Sequence, residues 1–276
     1  MLLRVSLILA AALVLNAQNQ PAPRPDRGVN FYSTEKEAAL GAQLAADFRR
    51  DHLALDNAAA RDYIQQMGER LARTMPQPSL FQYRFELMQD FNGTFLDPAA
   101  LPGGYIFVPA GLMLAANDEA ELAGTLAHAM AHVLARHGTR EATKGEIAQL
   151  ATIPLIYWGG FAGYGANQNA AEMLPVGFLQ FQKAMESEAD ALAVKMTSSA
   201  GYDPEGLARY VGRVQQDGPQ PRLSGIPPRA DRVRNIERAI QALPAQSYAA
   251  SGDFARLQEE VRRLAPAPPK PPTLQR

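Results

Sequence analysis

Two histidines, His128 and His132, stand four residues apart within 117–138, which reads N-D-E-A-E-L-A-G-T-L-A-H-A-M-A-H-V-L-A-R-H-G. Both ends of the stretch carry helix signals. Asp118 can cap the start, with Glu121 three residues later as in a capping box, and Gly138 suits the left-handed residue past the last turn. Between these ends lie no proline and one glycine, Gly124. At about 100° per residue, Leu122, Leu126, Met130 and Val133 share one side and the two histidines lie roughly opposite. An i, i+4 pair of imidazoles on one helix face can converge on a single ion, and imidazole suits zinc.

The metallopeptidase motif on a helix is H-E-x-x-H, two metal-binding imidazoles with a general-base glutamate between them. Here the run is His128-Ala129-Met130-Ala131-His132, so Ala129 occupies the position of the base. Spacing alone does not separate a metal pair from coincidence, but the flanks do. The whole stretch closely resembles zinc metallopeptidase family 48, the type of HtpX, BepA, the mitochondrial Oma protease and the CAAX prenyl protease, and the resemblance covers roughly residues 31–243. It implies an α+β, mostly helical, zincin-type domain with a small sheet beside the H-x-x-x-H helix. It also implies one Zn²⁺ per chain and an endopeptidase of the exported protein quality-control type.

Further positions follow from the resemblance. The family's third ligand sits in E-x-x-A-D, matched here by Glu186-Ser187-Glu188-Ala189-Asp190. Glu186 is thereby the expected carboxylate ligand. Asp190, at i, i+4 and so on the same helix face, is expected to accept the other N–H of a ligating imidazole, while Glu188 is expected at the surface. The run L-P-G-G-Y-I-F-V at 101–108 matches a family edge strand beside the metal helix. Gly104, Tyr105, Ile106 and Phe107 are therefore expected to pair with substrate backbone by strand addition. Near 223–233 relatives read roughly S-T-H-P-P-x-x-x-R-I; here Ile226 stands in the place of the histidine, and Arg232 matches the arginine. Both are candidates for the cleft.

Ala129 can neither take nor give a proton, so peptidase activity is expected to be weakened or lost. Two function classes stay open. One is a zinc metalloendopeptidase; the other is a catalytically dead, zinc-binding pseudopeptidase that acts as a protein-binding or chaperone-like module. Unfolded or envelope proteins are the expected substrates or clients in either case. A metal-free helical scaffold is a third reading.

The elements that must position these residues can be read from periodicity. A helix beginning at Thr34, with Thr34 and Glu37 as a capping box, carries Ala39, Leu40, Leu44 and Phe48 as a stripe. Residues 57–74 form a second helix with Tyr63, Ile64, Met67 and Leu71 inward. Alternation over 81–89 predicts a half-buried strand, 92–102 reads as irregular, and 105–108 as a short strand. Further helices are expected over 140–157, 178–199, 205–216, 232–243 and 253–264. The glycine-rich stretch 159–165 reads as a long loop, with a lid or a membrane-touching tip as alternatives.

The chain has 276 residues, 47% of them hydrophobic, enough for one large domain or two small ones. Lys and Arg number 27 against 28 Asp and Glu, a net charge of −1, so no imbalance points to nucleic acid. There is no cysteine, which excludes disulfides and lipoprotein attachment. Residues 1–17 read as a signal peptide: Arg4, then an apolar run over 5–15 too short for a spanning helix, then Leu15-Asn16-Ala17. A periplasmic or secreted location follows, with membrane contact left open but no span after cleavage. Residues 18–30 read as a proline-rich linker, 31–264 as the metallopeptidase-like domain, and 265–276 as a proline-rich disordered tail.

Overall fold

A computed structural model describes residues 28–75, 78–91, 93, 95–147, 176–217, 225–248 and 253–265, without the side chains of 145–147 and 176–181. Its helices are α1 (Thr34–Asp51), α2 (Ala58–Ala72), α3 (Ala110–Ala115), α4 (Glu119–Leu134), α5 (His137–Ile147), α6 (Val176–Ser199), α7 (Glu205–Val214), α8 (Arg229–Gln241) and α9 (Asp253–Arg263). The strands are β1 (Arg84–Met88), β2 (Ala99–Leu101) and β3 (Tyr105–Pro109). The class is as expected, mostly helical with one small sheet. The signal, glycine-rich and tail segments of the sequence reading lie outside the described residues. Among the described residues, no helix is long and apolar enough to cross a membrane.

The sheet has the order β1-β3-β2, with β1 parallel and β2 antiparallel to β3. This corrects the expectation for Gly104–Phe107: β3 is the middle strand, paired on both sides. The backbone hydrogen-bonding groups of a middle strand are taken up by its neighbours, so no chain can be added there. The outer strands are β1 and β2, and β2 lies inside the stretch read as irregular. Three residues of Ala-Ala-Leu are too short for alternation to register. The turn Pro102–Gly104 reverses β2 into β3, with Gly103 at φ 76° and Gly104 at φ 93°. A Cβ on Gly104 would lie 2.3 Å from the Gln82 carbonyl oxygen, so the turn takes glycine for space as well as for backbone conformation.

Helix α4 runs through the middle of the fold. Leu122, Leu126 and Met130 are fully buried among the core residues of α2, β1, β3, α6 and α7. Its start is fixed as the sequence suggests: Asp118 accepts from the Glu121 amide at 2.9 Å, and Glu121 reaches back to the Asn117 amide at 2.8 Å. Glycines let α7 close in. A Cβ on Gly124 would sit 2.9 Å from that of Leu207, and one on Gly206 would lie 2.4 Å from the Ala120 carbonyl oxygen.

The far end of α4 departs from expectation. The helix stops at Leu134, and Arg136, at φ 54°, takes the left-handed position expected of Gly138, which lies inside α5. An arginine there is held by its side chain: Nε donates to Glu37 Oε2 and Nη2 to the Tyr32 carbonyl, both at 2.7 Å. Glu37 correspondingly does not cap α1. It is buried, also accepting from Thr139 Oγ1 at 2.8 Å, while Ser33 caps by accepting from the Lys36 amide. A buried ion pair to the helix corner has displaced an exposed cap.

Candidate metal centre

The i, i+4 spacing of α4 and the E-S-E-A-D run of α6 do bring their side chains together. One ligand atom each from His128, His132 and Glu186 lies within 4.8 Å of the others. The two Nε2 atoms are 2.9 Å apart. Glu186 Oε2 is 3.6 Å from that of His128, and Oε1 is 3.4 Å from that of His132. Ligands bound tetrahedrally at about 2.0–2.2 Å stand roughly 3.3–3.6 Å from one another, so the set has the size of a three-ligand metal site.

The protonation pattern fits a cation as well. Asp190 Oδ1 lies 2.9 Å from His128 Nδ1. A carboxylate only accepts, so the proton on this contact sits on His128 Nδ1, and Nε2 faces His132 and Glu186. Burial first, and then the neighbouring groups His128, His137 and Arg232, hold His132 well below the usual imidazole range, so it is neutral and able to ligate. Burial pushes Glu186 upward against the pull of Arg232 and His128. Arg232 Nη2 stands 3.5 Å from Glu186 Oε2 and from His128 Nε2, so a fixed positive charge borders the same space.

Behind these three residues, Arg232 is fully buried and grips Asp190 with two bonds, at 2.8 and 2.7 Å. Burial would raise the Asp190 pKa, but the Arg232 charge and the bonds from His128 and Arg232 outweigh it and bring it to about 2. Asp190 is therefore an anion at every working pH. Gln215 Oε1 also accepts from Arg232 Nη1, at 3.3 Å.

A cavity of about 100 Å³ opens beside this cluster, with space for several waters or a small side chain. Ala129 and Ile226 line it with Ala100 and Leu101 of β2, so the edge strand borders the centre. Ala129 and Ile226 are both buried, and neither offers a polar atom beyond its backbone. Glu121 stands at the opposite end of α4, tied to Asn117 and Arg213, and is out of reach as a substitute base. Of the sequence candidates, the structure gathers His128, Ala129, His132, Glu186, Asp190, Ile226 and Arg232 around one place.

A model of peptidase family M48 matches residues 58–240, well over half the chain. The chain belongs to peptidase family M48. Like M48 metallopeptidases generally, it has a site that could hold a metal ion. The putative beta-barrel assembly-enhancing protease of Vibrio cholerae is 26% identical over 262 residues, 90% of this chain and 53% of that protein. The beta-barrel assembly-enhancing protease of Escherichia coli K12 is 24% identical over 217 residues, 74% of this chain and 42% of that one. A mitochondrial relative, the metalloendopeptidase OMA1 of Schizosaccharomyces pombe, is 34% identical over 106 residues, 38% of this chain and 30% of its own. The chain thus spans about half the length of the bacterial relatives it matches.

Three polar residues at this M48 site were not evident from the sequence. His137, placed by the corner at Arg136, lies against His132. Glu188, expected at the surface, is half-buried and pairs with His137 at 3.1 Å and Arg140 at 3.4 Å. Glu141 is buried in the cavity wall with Gln182 as its donor. A third histidine five residues past the motif was the one visible signal; the turn that aims it was not.

Proposed function

We propose that this chain is an exported zinc-binding protein of metallopeptidase fold, acting on unfolded or envelope proteins, in which peptide hydrolysis is weakened or lost. The observation that carries the reading is the contrast within one turn of α4: His128 and His132 converge with Glu186, while Ala129 between them lines the cavity as a methyl group. A zinc ion bound there would polarise a scissile carbonyl and acidify a water molecule. The chain's own residues supply the rest. Asp190 and Arg232 orient His128, and the β2 edge offers backbone groups to an extended client segment. What is lacking is the group that moves a proton from the attacking water to the leaving amine, a function worth roughly 10²–10⁴-fold.

The second reading, a pseudopeptidase that only binds its clients, is favoured by Ile226, a further apolar side chain in the cavity. The names of the bacterial relatives support an envelope role, and the residue pattern over 1–17 supports export, with cleavage before Gln18. Three measurements test the proposal. Zinc should be present at one ion per purified chain and absent from His132→Ala. Casein peptide release should be slight or nil. Terminal sequencing of periplasmic protein should read from Gln18. Strong chelator-sensitive proteolysis by the unmodified protein would overturn the weakened-enzyme reading, and a membrane-bound chain still starting at Met1 would overturn export by cleavage.

A further inference from the structure

His132 Nδ1 lies 3.1 Å from Nδ1 of His137, and the rings meet edge to face, with centroids 4.9 Å apart and planes at 79°. On one continuous helix, residues five apart point roughly 140° away from each other. They meet here because the left-handed residue Arg136 ends α4 and starts α5 in a new direction. His137 is buried, and its Nε2 lies 3.1 Å from Glu188 Oε2. Arg140 reaches the same oxygen at 3.4 Å.

The proton positions follow from donor and acceptor capacity. Glu188 as a carboxylate can only accept, so His137 Nε2 carries a proton. A neutral His137 then has a bare Nδ1, which must accept. The proton on that contact therefore belongs to His132 Nδ1, and the lone pair of His132 is at Nε2, facing His128 and Glu186. The opposite assignment would leave a bare His137 nitrogen against a carboxylate. Metal-ligating histidines usually hand their second N–H to a carboxylate, carbonyl or water; here an imidazole takes that part, with the carboxylate one step further out.

We infer that His137, backed by Glu188, is the positioning residue for His132, holding its ring and its tautomer so that Nε2 is presented to the metal. The inference rests on the metal-site reading above for its purpose; the contacts that carry it are His132 Nδ1 to His137 Nδ1 and His137 Nε2 to Glu188.

The test uses the full mature chain with Zn²⁺ as the probe. His137→Leu keeps bulk and removes the acceptor; His137→Asn restores an acceptor near the Nδ1 position. Zinc affinity, measured by chelator competition, should fall by about 10–100-fold in His137→Leu and recover substantially in His137→Asn. Nitrogen-15 spectra of the metal-free protein should show His132 protonated at Nδ1 in the wild type and as a tautomer mixture in His137→Leu. Should His137→Leu fail to fold, Glu188→Ala, at the half-exposed end of the relay, should shift the same resonances and weaken zinc binding several-fold. Unchanged affinity and an unchanged His132 tautomer in the folded variants would overturn the inference. A wild-type protein that binds no zinc would defeat the proposed function, while the nitrogen-15 comparison would still decide the role of His137.

Discussion

Arg232 and Asp190 form a two-pronged ion pair sealed inside the protein, Nε to Oδ2 at 2.8 Å and Nη2 to Oδ1 at 2.7 Å. The pair spans α6 and α8, and its carboxylate also accepts a hydrogen bond from His128 Nδ1. Removing one partner would strand the other charge in a dry place. Arg232→Ala is therefore expected to cost about 3–5 kcal/mol in urea unfolding, with zinc affinity falling in whatever folds. Arg232→Lys keeps the charge but loses the fork, so its loss should be smaller and clearly measurable.

Restoring the missing acid–base group tests the vacancy directly. Alanine and glutamate are both good helix formers, so Ala129→Glu should leave α4 intact. Chelator-sensitive cleavage of casein should rise, by at most about 10²–10⁴-fold. Adding Ile226→His should raise it further if that side chain borders the reacting atoms. The blank is the same protein carrying His132→Ala. No gain with zinc still bound would strengthen the binding-protein reading.

Metal removal should be visible in stability. Zinc that binds the folded chain and not the unfolded one adds roughly 4 kcal/mol at a thousandfold excess over Kd. Thermal melts should rise with added Zn²⁺ and fall back with chelator. Glu186→Ala and His128→Ala should show little of this response. A full zinc-dependent shift in both would place the ion elsewhere.

Glu141 gives a pH dependence of definite sign. Burial, the larger cause, and the charge of Glu186 push its carboxyl up from 4.5 to about 8, against the bond from Gln182. Between these values the folded chain keeps a proton that the unfolded chain has lost. Its contribution therefore makes stability fall as pH rises through that window, with no further change above or below it. Glu141→Gln removes the titration. The variant should gain on the wild type from pH 5 to pH 9, by a few kcal/mol at most, in paired urea titrations. A stability difference constant across that range would show that Glu141 titrates normally.

Most of the helices were legible because a buried face repeats every three or four residues, as Ile64, Met67 and Leu71 do on α2. The candidate metal-holding residues and their support were legible because their spacing is local: His128 with His132, Glu186 with Asp190. Only the resemblance tied the two pairs together across the chain. Contacts set by backbone direction were harder to see. Nothing in Ala99–Leu101 announces an edge strand, since its pairing is decided by where the Pro102–Gly104 turn sends the chain. Glu37 looked like a cap because the sequence shows its neighbours Ser33 and Thr34, and not Arg136 ninety-nine positions away. Glu188 looked exposed because His137 is hidden by the same corner.

That corner sets a phase between two helices. With Arg136 left-handed, the last turn of α4 and the first turn of α5 are locked in one rotational offset, and only that offset lays His137 against His132. Inserting or deleting a single residue between them would turn α5 by about 100° relative to α4, leaving every ligand, cap and core side chain unchanged in kind. Metal affinity is thus expected to be sensitive to chain length at a point outside the candidate ligand set. A length variant there would separate the geometry of the site from its composition, which no point substitution among the ligands can do.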